Sequence, residues 1–133
     1  DNEIWSFGDK AYDILKNLID FRETMRPYVR ALMQEAHEDG APVMRTMFFA
    51  FPEDEATWDL RDQYMFGPDV LVAPVLDAGA VQRAVYLPKG AQWTALHTGK
   101  TYAGGQTLAC DAPLERIPVF LRDGSHPDWI GKI

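Results

Sequence analysis

The first third of the chain has the hydrophobic spacing of an amphipathic helix. Apolar residues recur in steps of three or four between positions 12 and 36, which places them on one helix face. Ser6 and Asp9 suit a capping box at the start. Gly40 and Pro42 suit a helix stop. Because Pro27 removes a backbone donor and clashes with the preceding turn, we expect two helices or one kinked helix with a joint there.

After Gly40 the pattern changes to short runs typical of β-strands. The segment PVMRTMFFAF is apolar and rich in aromatic residues, so we expect an extended strand there. The acidic segment EDEATWDLRDQ predicts one or two short turns. Five later runs predict further strands: DVLVAPV, VQRAVYL, AQWTAL, QTLAC and IPVFLR. Since Pro74 and Pro118 lie inside such runs, we expect their strands at sheet edges or with bulges.

These patterns predict an α+β fold, with a kinked helix or helix pair followed by an antiparallel β-sandwich-like domain. The segment HTGKTYAGG predicts two hairpin corners. Composition changes between Gly40 and Pro42, so we divide the chain into a helical segment, 1–42, and a sandwich domain, 43–133. The helix has to bury its apolar face on the sheet or on another partner.

Composition limits the classes of partner. The net charge of −7 over 133 residues disfavours nucleic acid, whose phosphates need clustered Lys and Arg. No basic run is present to bind an anionic membrane, and the longest apolar stretches are far shorter than the ~20 residues that span one. Cys110 is the single cysteine, which excludes an internal disulfide and fits a cytoplasmic location. No secretory signal is visible, and the start at Asp1 without Met suggests a longer polypeptide.

The residues give little sign of metal or nucleophilic chemistry. The three histidines are widely separated: His37, His97 and His126. No CxxC or HExxH spacing is present. Cys110 and Ser125 lack the motifs of activated nucleophiles, and the glycine pair 104–105 lacks a phosphate-loop context. We therefore expect no metal and no cofactor.

Carboxylates are the next candidates, because glycoside cleavage uses two of them. A dense cluster comprises Glu53, Asp54, Glu55, Asp59 and Asp62. It better fits a solvated face with helix-start charges than a catalytic pair. We expect Asp62 and Asp69 to make N-cap or turn bonds. Arg45, within an apolar run, is predicted to be a buried or half-buried cation paired with an acid from 53–62.

Several aromatic residues could stack on sugar rings: Trp58, Tyr64, Phe66, Trp93 and Tyr102. Burial in the core is the commoner outcome for such side chains. We retain Trp93, Tyr102 and Trp58 as possible sugar contacts.

Five signatures together resemble the late part of glycoside hydrolase family 31, which contains retaining α-glucosidases and α-xylosidases. Four of these signatures are the segments RPYVRALMQEAHEDGAPVMRTMFFAFPED, DQYMFGPDVLVAPV, VYLPKGAQW and IPVFLRDG, and the fifth is their order along the chain with sensible gaps. The resemblance runs from Tyr12 to Gly124. It implies that residues 8–40 match the last helix or helices of a (β/α)8 barrel. Residues from about 43 onward match the proximal C-terminal β-sandwich, with DQYMFGPDVLVAPV where barrel and sandwich meet.

In that family the nucleophile and acid/base aspartates, and the main sugar-binding Arg and His, lie upstream, and no residue here matches them. Gly8-Asp9 resembles the acid/base dipeptide, but Lys10 follows, so we interpret Asp9 as a capping residue. Thr46 and Ala50 depart from the family pattern and leave the subfamily open. No catalytic residue is therefore assigned.

The resemblance implies a C-terminal fragment of a retaining α-glycosidase, inactive alone. Its expected partners are the rest of the parent enzyme with its catalytic barrel and the oligosaccharide substrate of that enzyme. In the isolated chain the helix face would be exposed and could drive formation of a homo-oligomer. The sugar specificity and the presence of a distal domain stay open. Two alternatives remain: a free-standing carbohydrate-binding sandwich that uses Trp93, Tyr102 or Trp58, and an enzyme that uses the acidic cluster.

Overall fold

A computed structural model describes residues 8–75, 79, 81–112 and 117–132, with side chains described from residue 20 onward. Helix α1, Gly8–Asp39, is a single helix of 32 residues with Pro27 inside it. Of the two predicted alternatives, one helix is present and a helix pair is wrong. The capping box proposed at Ser6 and Asp9 falls outside the residues and side chains that the structure describes.

The end of α1 follows the predicted stop signal. Gly40 adopts φ +72°, and its amide donates to the carbonyl oxygen of Ala36 at 3.1 Å. A residue in this left-handed conformation just beyond the last helical turn is the usual end of a helix, and glycine adopts it without strain. Pro42 then prevents the helix from continuing. The predicted end of the helix is confirmed.

The segment after Gly40 corrects one prediction. Only Met44–Thr46 forms a strand, β1, and Met47–Ala50 forms a short helix, α2. The Thr46 hydroxyl caps α2 by accepting from the amide of Phe49 at 3.1 Å. Met47 and Phe51, four positions apart, are both buried. The cap and the helical spacing of these two anchors override the strand preference of the aromatic run.

The strands form two sheets within the described residues. Their bounds after β1 are β2 Tyr64–Phe66, β3 Val70–Val72, β4 Gln82–Leu87, β5 Gln92–Ala95, β6 Thr101–Ala103, β7 Gln106–Asp111 and β8 Val119–Arg122. One sheet has the order β1-β2-β3-β8-β5-β6, and the other pairs β4 with β7. Every pairing is antiparallel. The predicted α+β class with an antiparallel sandwich is confirmed.

Two hydrophobic clusters hold these layers together. The first lies between the sheets and includes Leu71, Val85, Leu87, Trp93 and Phe120, all buried. The second lies on the other face of the large sheet, where Val70 and Leu121 pack with Trp129 and with residues of α1. The helix therefore covers the sandwich from outside.

The two prolines in the strand-like runs lie just beyond one end of a strand and do not mark sheet edges. β3 stops at Val72 before Pro74, β8 begins just after Pro118, and both strands are central in the sheet. The amide of Ala73 donates to the carbonyl oxygen of Pro118 at 3.0 Å. Each proline lies just outside its strand, where the sheet needs no backbone N–H group from it. The prediction that these strands lie at sheet edges is therefore wrong.

The two predicted corners differ. Between β5 and β6 a true hairpin closes, with the amide of Gly99 donating to the carbonyl oxygen of Ala95 at 2.8 Å. The glycine pair 104–105 instead carries the chain from β6 in one sheet to β7 in the other. The acidic segment forms a 3-10 helix, Glu55–Thr57, as the predicted short turn requires. No helix in the described ranges is long and apolar enough to cross a membrane.

Candidate functional site

The turn between β2 and β3 contacts α1 very closely. Gly67 in this turn has φ +66°, and a Cβ at that position would lie 2.4 Å from the Tyr28 hydroxyl and 2.5 Å from a methyl group of Leu32. Both the backbone conformation and the available space require glycine. The segment DQYMFGPDVLVAPV thus forms a β-hairpin of β2 and β3, and the turn of this hairpin packs on α1.

Tyr28 links the helix to this hairpin. Its hydroxyl donates to the carbonyl oxygen of Phe66 at 2.6 Å and accepts from the amide of Asp69 at 3.1 Å. Burial raises the pKa of Tyr28 to about 12. The hydroxyl therefore stays protonated at neutral pH and joins α1 to both ends of the turn.

The C-terminal segment joins the same contact. A second 3-10 helix, Pro127–Trp129, follows His126, whose ring stacks on Trp129 with centroids 4.0 Å apart. The His126 Nε2 and Asp69 Oδ2 atoms lie 2.9 Å apart. Tyr28 meets both rings edge-on. Asp69 was predicted to make a turn or cap bond, but its carboxylate binds a histidine 57 positions away, which a local pattern cannot reveal.

Asp54 is the buried carboxylate of the acidic segment. It caps the first 3-10 helix through the amide of Ala56 at 3.2 Å and also accepts from the Tyr86 hydroxyl at 2.7 Å and the Lys89 amide at 3.0 Å. Burial opposes its ionisation, but these three donors outweigh burial and lower the pKa of Asp54. In the same contact, burial and the Asp54 carboxylate raise the pKa of Tyr86 to about 12.

Asp62 binds a cation and does not cap a turn, which corrects its predicted role. The Arg83 Nη2 atom lies 3.2 Å from Asp62 Oδ2, and Nη1 donates to the Asp62 carbonyl oxygen at 2.8 Å and to that of Pro74. The Arg83 side chain is 11% exposed. This arginine fastens the start of β2 and the end of β3 to β4.

Arg45 is half-buried, as predicted, but its partner is different. Its Nη2 atom lies 3.2 Å from Glu35 Oε1 on α1, and Nε donates to the carbonyl oxygen of Pro42 at 2.7 Å. β1 returns beside the end of the helix. Two acids of the predicted partner segment instead bind residues of β4: Asp54 accepts from Tyr86, and Asp62 pairs with Arg83.

These contacts give Asp54, Asp62 and Asp69 structural roles. A general acid in sugar cleavage needs a raised pKa, whereas the pKa of Asp54 is lowered. Burial raises the pKa of the Cys110 thiol, which reduces its thiolate fraction and its nucleophilicity. Within the described ranges, no three His, Cys, Asp or Glu side chains are grouped to hold a metal ion.

The three predicted sugar contacts lie in different environments. Trp93 is 0% exposed, and its indole donates to the Pro88 carbonyl oxygen at 2.9 Å, so its prediction is wrong. Tyr102 is half-buried against Phe120 and borders an open cleft of about 360 Å³. Trp58 is 54% exposed. Trp93 and Tyr102 are register partners across β5 and β6, but the buried Trp93 ring offers no surface to a sugar. The predictions for Tyr102 and Trp58 stay predictions.

Sequence reasoning missed two features. One is the contact among Tyr28, Asp69, His126 and Trp129, for which the proline and glycine of the hairpin turn gave the only local sign. The other is the exposure of Phe48 and Phe49, which are 50% and 58% exposed. It was missed because a strand was predicted here, whereas the helix α2 directs these two side chains outward.

These features define an antiparallel β-sandwich domain with a helix packed on its large sheet. The model of the glycosyl hydrolase family 31 C-terminal domain matches residues 40–125. The chain belongs to glycoside hydrolase family 31. The resemblance read from the sequence is confirmed, while the division at residues 42 and 43 stays a prediction.

Several relatives resemble the chain along most of its length. A family 31 α-xylosidase from a soil metagenome, solved with xylose, is 53% identical with a TM-score of 0.91 over 96% of this chain and 19% of its own. Alpha-glucosidase 2 of Bacillus thermoamyloliquefaciens is 42% identical over 92% of this chain and 16% of its length. An alpha-xylosidase of Saccharolobus solfataricus is 31% identical over 98% and 18%. The chain therefore spans less than a fifth of these relatives.

Proposed function

We propose that this chain is the C-terminal structural part of a retaining α-glycosidase that hydrolyses α-xylosides or α-glucosides. One observation carries the proposal: the 53% identity and TM-score of 0.91 to part of an α-xylosidase solved with xylose. The 42% identity to an α-glucosidase keeps glucose as the other candidate sugar. The chain itself has no hydrolytic activity.

The proposed role is to hold the last helix of the catalytic barrel against the sandwich. Tyr28 and Leu32 of α1 contact the β2–β3 turn, and Phe21 packs edge-on against Trp129. Each large apolar side chain that is fully covered contributes about 1.5–3 kcal/mol to such a contact. Displacement of this helix would disturb the barrel in which catalysis takes place.

The reaction itself would use residues of the remaining polypeptide. Double displacement needs two carboxyl groups about 5–5.5 Å apart, one as nucleophile and one as acid/base. Asp54, Asp62 and Asp69 instead bind amides, an arginine and a histidine. These bonds support a scaffold role. The rest of the parent enzyme and its oligosaccharide substrate are the proposed partners, in the cytoplasm.

The proposal predicts that the purified chain releases no nitrophenol from aryl α-xyloside or aryl α-glucoside above the buffer rate. The same assay on the longer polypeptide should show turnover on one of the two substrates. Turnover by the 133-residue chain alone would contradict the scaffold role. Absence of turnover by the longer polypeptide would contradict the proposed enzyme.

Carbohydrate binding is a second candidate, and the exposed ring of Trp58 favours it. Titration with maltose and xylosyl oligosaccharides, followed by tryptophan fluorescence, separates the two. The scaffold role predicts no saturable signal up to the millimolar range. Saturable binding that Trp58→Ala removes, and that Val81→Ala leaves intact, would establish a binding module instead.

A further inference from the structure

Helix α1 is attached to the sandwich in two different ways. Its C-terminal part, from Tyr28, makes hydrogen bonds to other elements: the Tyr28 hydroxyl bonds both ends of the β2–β3 turn, and Glu35 pairs with Arg45 of β1. In its N-terminal part, the described side-chain hydrogen bonds of residues 20–27 stay within the helix. The described side chains of this part therefore reach the rest of the domain through packing alone.

The N-terminal part of α1 packs on the segment that follows β8. Trp129 of this segment is 3% exposed and meets the Phe21 ring edge-on, with centroids 5.8 Å apart. Met25 packs on the same cluster. Of the described helices and strands, the 3-10 helix Pro127–Trp129 contacts α1 most extensively. We call residues 126–131 the clasp, because they close over this part of α1.

The clasp has few bonds to the sheet and begins with unfavourable backbone. Within the described residues, one backbone hydrogen bond joins it to a distant element, from the Gly131 amide to the Leu96 carbonyl oxygen at 2.9 Å. One side-chain hydrogen bond does the same, between His126 and Asp69. His126 adopts φ +52°, a left-handed conformation that is unfavourable for a residue with a Cβ. An element held by few bonds and under backbone strain opens locally, before the sheet unfolds.

Pro27 lies where the two parts of α1 meet. Because proline has no backbone N–H, the Glu23 carbonyl oxygen lacks its helical donor, and the proline ring crowds that carbonyl. A helix bends more readily at such a position than elsewhere. The Pro27 side chain is exposed, so replacing it removes no buried packing.

We propose that α1 bends at Pro27 when the clasp opens, so that its N-terminal part moves while its C-terminal part stays on the hairpin. The bend itself needs only this chain. Its consequence rests on the proposed function, under which α1 is the last helix of the catalytic barrel. In such a barrel the loop before each helix lies at the face that carries the active site. The clasp of the sandwich therefore sets the position of the last of these loops.

Distances between pairs of spin labels on the 133-residue chain test the bend. One pair joins Arg22, in the N-terminal part of α1, to Thr107 on β7, and a second pair joins Gln34, in the C-terminal part, to the same position on β7. All three side chains are exposed, so labelled cysteines at these positions disturb little packing. Cys110→Ser removes the native thiol from labelling.

Trp129→Ala should open the clasp and shift the Arg22–Thr107 distance by about 3 Å or more, since a kink of about 20° acts over about 7.5 Å of helix axis. The Gln34–Thr107 distance should stay as in the unsubstituted chain. Adding Pro27→Ala restores the missing backbone donor and stiffens the helix, so the Arg22–Thr107 distance should return toward its original value.

Two further variants separate local opening from a general loss of stability. His126→Asn keeps Trp129 in place and tolerates the left-handed backbone but loses the stacking, so it should give the same shift in a smaller fraction of molecules. Phe51→Ala, in the cluster between the sheets, is the matched control for a lost aromatic ring and should shift neither pair. Equal shifts of both pairs in the Trp129→Ala variant, or a shift in neither, would overturn the bend.

Kinetics of the longer polypeptide test the consequence for catalysis. There Trp129→Ala should change KM for the aryl glycoside by about threefold or more, and Pro27→Ala should return most of that change. Unchanged KM and kcat beside a measured bend would overturn the link to the active site. A longer polypeptide without turnover before any substitution counts against the proposed function, and the link fails with it, whereas the label distances alone decide the bend.

Discussion

Gly67 is required for two reasons: its backbone is left-handed, and the space beside it is filled by Tyr28 and Leu32. The free energy that both requirements contribute together can be measured. Gly67→Ala places a side chain in left-handed backbone, at about 1–2 kcal/mol, and drives it into Tyr28 and Leu32, at about 1–3 kcal/mol more. Urea denaturation should show a larger loss of unfolding free energy for Gly67→Ala than for a glycine that has only the backbone requirement. Gly90→Ala is the control, since Gly90 has φ +92° and open space around it. Equal losses for the two variants would show that the helix yields to the added methyl group.

Asp54 predicts a pH dependence on the acid side. Because its folded pKa is lowered, it stabilises the fold above its unfolded pKa of about 3.9, and this stability is lost as pH falls through the lower folded value. Asp54→Asn should cost about 1–3 kcal/mol near pH 7, and the difference from wild type should shrink toward pH 3. Denaturation midpoints across this range measure it. Asp59→Asn, at an exposed acid of the same segment, should change little, and a constant Asp54→Asn difference would contradict the assignment.

At the scale of elements, the cap on α2 decides between strand and helix. Thr46→Ala removes the hydroxyl that accepts from the Phe49 amide and should cost about 0.5–2 kcal/mol. Thr107→Ala, on an exposed position of β7, is the control for loss of a threonine. Thermal melts of both variants followed by circular dichroism would show it. If both lost the same stability, the strand preference of threonine would explain the effect without the cap.

The elements also show how far the sequence predicts this fold. Periodicity and stop residues predicted α1 and its end at Asp39, and the family resemblance placed the sandwich after it. The helical turn at Met47–Ala50 was missed because aromatic content favours a strand, whereas one hydroxyl and two buried anchors decide the conformation locally. The partners of Arg45, Asp62 and Asp69 could not be predicted, since each pairing depends on how distant elements pack.

At the scale of the whole molecule, Tyr28 connects α1 to the hairpin of β2 and β3. We therefore expect the domain to unfold when this tyrosine ionises at alkaline pH. Its pKa and that of Tyr86 are raised to about 12, so the stability that each contributes is fully present below about pH 10 and is lost as pH rises toward 12. Absorbance at 295 nm should show two tyrosines ionising late, together with unfolding. Tyr28→Phe should remove one of these late ionisations and destabilise the fold at neutral pH. Tyr64→Phe serves as the control, and a normal titration of all tyrosines in the wild-type chain would contradict the burial of Tyr28.

The strand order has a consequence for how the protein is made. β8 lies between β3 and β5 in the large sheet, although it is the last strand along the chain. While a ribosome is still extending the polypeptide, β3 and β5 each expose the backbone edge that Val119–Arg122 pairs with in the folded domain. Such non-local pairing slows folding and leaves apolar strands open to aggregation. Sheet closure therefore waits until synthesis has passed residue 122, and a chain cut short before that strand should accumulate as insoluble material.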